Sequence, residues 1–183
     1  MTILGKQKTG QPGFIGTIVP NGDVVTTNWE DEGGATSDLF DSVDDSSDST
    51  YNITDGILMA FCGGSEVTRN IRWAFENPST NPSGVESTIV YVRARISGVG
   101  ADPTVTMQLD AWDGTTYKFA ESSTHTLTTS WAWYAWVWTT AERVVFADLG
   151  WSGFRLDCDF TICEDTGDWV YVEISQVYVD FSA

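Results

Sequence analysis

The chain is predicted to be an all-β protein: one antiparallel β-sandwich of the jelly-roll type, with a short extended N-terminal arm. Three observations lead there. Eight or more short segments alternate apolar and polar residues with a period of two, Gly, Pro, Asn and Asp punctuate the joins between them, and no long amphipathic helix intervenes. At 183 residues the sandwich is expected to form one domain, residues 17 to 183, preceded by an arm or edge strand, residues 1 to 16.

Met1 to Gly16 is rich in Gly, Lys, Gln and Thr, with Pro12 and no lasting periodicity, and an arm of this kind could add a strand to a neighbouring subunit. From Phe14 the period changes to two. Pro20, Asn21, Gly22 and Asp23 are read as a turn before Val24 to Trp29, and Glu30 to Tyr51 as loop with turn chemistry rather than core chemistry.

Strands are then expected at Ile57 to Phe61, Glu66 to Glu76, Ser87 to Ser97, Thr104 to Trp112, Thr115 to Ala120 and Thr124 to Thr129. Trp131 to Thr139, Gly153 to Cys163 and Asp168 to Phe181 follow. The alternation is clearest in Thr88 to Ile96, where Ile89, Tyr91, Arg93 and Arg95 share one face and Val90, Val92, Ala94 and Ile96 the other. Asp113 and Gly114 form a hairpin dipeptide. Asp168 to Phe181 reads as one long closing strand, and Thr140 to Leu149 is the one short helical candidate.

Twenty-six acidic side chains stand against nine Lys and Arg, a net charge of -17. Such a field repels phosphate backbones and anionic lipid head groups, so neither nucleic acid nor a membrane surface is an expected partner. No apolar run reaches 18 residues, and Met1 to Gly10 carries Lys6 and Lys8 without an apolar stretch, so neither a spanning helix nor a secretory signal is expected. Cys62, Cys158 and Cys163 have the wrong parity for a disulfide framework and are read as buried thiols.

No catalytic constellation stands out, and no enzymatic activity is expected. His125 is the sole histidine, no nucleophile elbow or zinc-hydrolase motif is present, and carboxylate pairs arise by chance among 26. Asp41, Asp44, Asp45 and Asp48 put four carboxylates within eight residues, a candidate calcium loop that lacks the spacing, Gly and Glu of an EF-hand and reads first as a solvated acidic loop. No other cofactor is indicated.

Trp131, Trp133, Trp136 and Trp138 crowd one expected strand, and regular pleating sends the first two to one face and the last two to the other. Three readings follow, taken in this order: a β-bulge near Tyr134 turning most of them inward, a subunit interface, or a platform for sugar rings. Phe14, Ile15, Trp133, Trp136 and Trp138 are the interface candidates.

The order of features resembles bacteriophage virion proteins that share a jelly-roll sandwich. It is carried by Pro20 to Asp23 with Asn28 and Trp29, by the acidic loop ahead of Tyr51, and by Asn77, Pro78, Asn81 and Pro82 before the strand Val90 to Arg95. The hairpin Asp113 and Gly114, Ser130 and Trp131 with Tyr134, Leu156 within GFRLDCDF, and the closing VYVEISQVYVDF complete it. The resemblance spans residues 17 to 182; Trp133, Ala135 and Trp136 depart from it, standing where that family has Thr or Ser. It implies a capsid decoration protein on the outer capsid surface of the virion, bound to the major capsid protein as a homotrimer or other symmetric homo-oligomer. The alternative is a carbohydrate-binding adhesin module of a tail or fibre.

Overall fold

A computed structural model describes residues 14–43, 48–54, 57–58, 67–76, 87–98, 104–112, 117–119, 124–138, 155–163 and 169–182. They form thirteen strands: β1 Phe14–Ile18, β2 Pro20–Val25, β3 Trp29–Asp31, β4 Asn52–Thr54, β5 Ile57–Leu58, β6 Val67–Phe75, β7 Ser87–Gly98, β8 Thr104–Trp112, β9 Tyr117–Phe119, β10 His125–Thr126, β11 Ala132–Trp138, β12 Arg155–Cys163 and β13 Trp169–Ser182. One 3-10 helix, Leu39–Ser42, lies between β3 and β4. The helical candidate at Thr140 to Leu149, the turn Asp113 and Gly114, and residues 1–13 of the arm lie outside the described residues.

Two antiparallel sheets stack as a sandwich of the jelly-roll type. Among the described residues the first runs β11-β7-β13-β4-β3, with β1 and β5 also on β13, and the second runs β10-β8-β12-β6-β2, with β9 on β8. The chain repeatedly crosses between the layers: β6, β7 and β8 alternate sheets, as do β11, β12 and β13. Residues 14 to 16 of the expected arm belong to β1, which closes against Val179 to Ser182 of β13.

Val90, Val92, Ala94 and Ile96 of β7 are buried while Tyr91, Arg93 and Arg95 lie on the opposite face, as the alternation predicts. β13 departs from a single alternation. Val170, Val172 and Ile174 point into the core, the register against β7 slips between Ile174 and Gln176, and from there Val177, Val179 and Phe181 take over. A bulge at Ser175 absorbs the extra residue, so the strand stays apolar toward the core on both sides of the phase change.

Two stretches read as turn or loop differ from expectation. Pro20 to Asp23 is no turn: the chain leaves β1 at Val19, changes sheet, and Pro20 opens the edge strand β2. Slips between Pro20 and Gly22 and between Asp23 and Val25 accommodate the irregular sequence, and Pro20 sits at the first residue of an edge strand, where the missing N–H is tolerated. Within the acidic stretch, Leu39 and Val43 are fully buried core residues. The Asp23 carboxylate accepts the N–H groups of Leu39 and Phe40, both at 2.9 Å, which anchors the 3-10 helix and turns its apolar side inward.

Trp29, Trp73, Trp136, Phe160 and Phe181 are the largest enclosed side chains. Trp29 ties the layers together, its ring 5.5 Å from that of Phe160 and its Nε1 donating to the Asn70 carbonyl at 3.0 Å. At the opposite side, β10 and β11 close the sandwich: Thr128 N donates to the Tyr134 hydroxyl at 3.0 Å, and Ile96 N to the Thr128 carbonyl at 2.9 Å.

β11 pairs with β7 from Ala132 to Trp138 without a slip, so the bulge expected near Tyr134 is absent and the tryptophans divide between two faces. Trp136 is fully enclosed, whereas Trp133 is exposed. Trp136→Ala should therefore cost about 3–5 kcal/mol in urea unfolding, and Trp133→Ala about 1 kcal/mol or less. Equal losses would contradict this division of the strand.

Candidate functional site

Period-two pleating places the outward residues of β11, β7 and β13 side by side on the solvent face of the first sheet. Trp133 lies across from Arg93, which lies across from Gln176; Ala135, Tyr91 and Tyr178 form the next row. Trp133 is 43% exposed and Val137, four residues on, 54%.

The rings hold one another. Tyr91 and Tyr178 stack with centroids 4.8 Å apart and planes at 24°, and Trp133 meets them edge-on at 6.4 and 5.4 Å. These are favoured aromatic geometries, so the indole is fixed before any ligand arrives. The Arg93 guanidinium lies 5.5 Å from the Trp133 ring centre, and the Arg95 guanidinium 4.5 Å from that of Trp131, which Tyr51 meets at 6.0 Å.

Both arginines are paired. Arg93 donates through Nε and Nη2 to the two oxygens of Asp48, each at 2.6 Å, a bidentate arrangement. Asp48 Oδ1 also accepts from Ser175 Oγ at 2.9 Å and from Gln176 Nε2 at 3.5 Å. Arg95 Nε donates to Glu173 at 2.5 Å, and Ser97 Oγ donates to the other oxygen of that nearly buried carboxylate. The patch is thus close to charge balance on a strongly acidic chain.

These contacts set the titration of the face. The hydrogen bonds from Arg93 hold the Asp48 carboxyl below the usual aspartate value of 3.8, against a partial desolvation that pushes it up. Burial, with the Asp180 carboxylate and Tyr91 beside it, pushes the Tyr178 hydroxyl up to about 12.

Of the four candidate calcium ligands, Asp41 is exposed on the 3-10 helix, Asp48 is engaged by Arg93, and Asp44 and Asp45 lie outside the described residues. Among the described residues no three His, Cys, Asp or Glu side chains gather as a metal site. Phe14 and Ile15 lie on β1 and Trp138 on β11; Trp133 is on the outer face and Trp136 is core. His125 is half-buried, its ring edge-on to Trp136 at 4.5 Å and its Nε2 3.1 Å from the Ala135 carbonyl. Cys158 is a buried thiol; Cys62 lies outside the described residues. Tyr91, Tyr178, Arg93 and Arg95 were not read as site residues from sequence, although their period-two alternation with buried neighbours was the available signal.

No protein-family model matches the chain, and no curated protein matches it. Among solved structures it is similar to TmCBM61 in complex with beta-1,4-galactotriose, at 10% identity over 88% of this chain and 85% of that one, TM-score 0.41. It is likewise similar to a CBM4 structure, at 14% identity over 85% of this chain and 96% of that one, TM-score 0.41. Both are carbohydrate-binding modules.

Two outcomes follow from the ionic contacts. Asp48→Asn should lower stability at pH 7 by on the order of 1 kcal/mol, the pair being partly solvated. A carboxyl whose folded pKa is depressed stabilises above its unfolded pKa and loses that contribution as pH falls through the folded one. The melting-temperature gap between the two proteins should therefore narrow progressively as pH falls below 3.8, and a gap that stays constant through that range would refute the pairing. In alkaline absorbance titration one tyrosine should ionise near 12, and Tyr178→Phe should remove that transition.

Proposed function

We propose that the chain is a non-catalytic carbohydrate-recognition module whose ligand stacks on Trp133, on the solvent face of the first sheet. One observation carries this reading: an exposed indole, locked by Tyr91 and Tyr178, is bordered by the hydrogen-bonding groups of Arg93, Asp48 and Gln176. A pyranose ring has an apolar C–H face and a rim of hydroxyls, which suits one rigid aromatic plane with a few polar groups at its margin. Pre-ordering the ring reduces the entropy lost when a ligand binds.

A protein seam of ordinary size buries about 800 Å² on each partner. The exposed large apolar side chains described on this face are Trp133 and Val137, which is little for such a seam and enough for a sugar.

A second reading, a virion surface protein seated on a major capsid protein as a homotrimer, draws on β11, the edge strand of the first sheet among the described residues. Residues 130–141 carry no charged side chain, so this edge lacks the charges that usually discourage strand addition.

A glycan array followed by calorimetry separates the two. The chain should bind at least one saccharide series, Trp133→Ala should weaken that binding at least about tenfold, and Val24→Ser, exposed on the other sheet, should leave it unchanged. Absence of any glycan signal, together with saturable binding to purified capsids, would favour the second reading.

A further inference from the structure

We infer that Asp48 is the specificity-determining residue of this face, selecting neutral saccharides over acidic ones; the inference rests on the Trp133 platform proposed above. A guanidinium beside an exposed aromatic ring is the usual reader of a ligand carboxylate, because its parallel N–H groups match two carboxylate oxygens. In this chain Asp48 already takes that position, accepting from both Nε and Nη2 of Arg93 at 2.6 Å. Ser175 Oγ and Gln176 Nε2 hold Asp48 Oδ1 from the strand behind it. A ligand carboxylate would have to displace a carboxylate with three anchoring side chains.

The second cation of the face is closed in the same way. Glu173, only 4% exposed, accepts from Arg95 and Ser97, so Arg95 also faces an internal counter-ion. Asp180 lies across from Ile89 on the same outer face and adds a further negative charge beside Tyr91 and Tyr178.

The arrangement that rejects an acceptor admits a donor. An ionised carboxylate has about four lone-pair positions. Asp48 Oδ1 serves three donors, while Oδ2 takes the single bond from Arg93 Nη2. Asp48 is about one-third exposed, so Oδ2 can accept a sugar hydroxyl beside the Trp133 ring. A neutral ring therefore gains a charge-assisted hydrogen bond where a uronate meets repulsion.

The test uses matched ligands that differ only at C6: neutral gluco-, manno- and galacto-oligosaccharides, and the uronate oligomers with the same rings, titrated by calorimetry. The unmodified chain should prefer the neutral member of the pair it binds. Asp48→Asn removes the charge, releases Arg93 and presents an amide donor, and should move the neutral-to-uronate affinity ratio at least about tenfold toward the uronate. Neutral binding that is lost in Trp133→Ala while Asp48→Asn leaves the ratio unmoved would overturn the selection and spare the platform. Neutral binding indifferent to Trp133→Ala, or no binding of either series, would overturn both.

If Asp48→Asn does not fold, the unmodified chain decides. At about 1 M salt the screening length falls to about 3 Å, which removes the long-range repulsion of the whole chain but not a contact exclusion. Continued rejection of uronates there supports the local role of Asp48, and equal binding of both series overturns it.

Discussion

The pairing of β13 with β7 is the constraint on which the rest of the molecule depends. It runs from Val170 against Gly98 to Ser182 against Ser87, and along it β13 must keep an apolar row toward the second sheet. A strand with its apolar residues at 170, 172 and 174 and then at 177, 179 and 181 cannot do this in perfect register, because a one-residue change of phase turns every later side chain to the other face. The bulge at Ser175 resolves the conflict. Without it, Val177, Val179 and Phe181 would face solvent while Tyr178 and Asp180 entered the core.

The same bulge builds part of the outer face. Ser175 sits at the slip and reaches Asp48, and Gln176 begins the new outward row beside Arg93. On its other flank β13 is met in turn by β5, β4, the Val43 carbonyl, which accepts from Val177 N at 2.9 Å, and β1. Val43 thus meets β13 in the interval between β4 and β1, with Leu39 and Val43 in the core and Asp48 paired with Arg93 on the outer face. Core packing and surface chemistry share one segment, which is why a stretch rich in aspartate is partly buried.

Much of the fold was legible because period two is a local signal. The edges of β8 coincide with the expected strand, and β6, β7, β11, β12 and β13 fall within a residue or two of theirs. The outward placement of Tyr91, Arg93 and Arg95 was legible for the same reason. Pro20 to Asp23 misled because Pro, Asn and Gly mark turns and irregular edge strands alike, and only pairing with β6 distinguishes them. Leu39 and Val43 were hidden among Ser and Asp, since no periodicity develops over a four-residue 3-10 helix.

Composition and alternation by themselves determined that this chain is an acidic, all-β sandwich with four tryptophans crowded on one strand. Those properties depend on residue type and on neighbours two positions apart; the slip-free pairing of β11 with β7 divided the tryptophans between its faces. Only the tertiary structure decided that Trp133 is the exposed ring, that Tyr178 braces it from a strand some forty residues later, and that Asp48 neutralises Arg93. Such contacts join residues 45 or more positions apart, and their register is set by a core that no local pattern encodes.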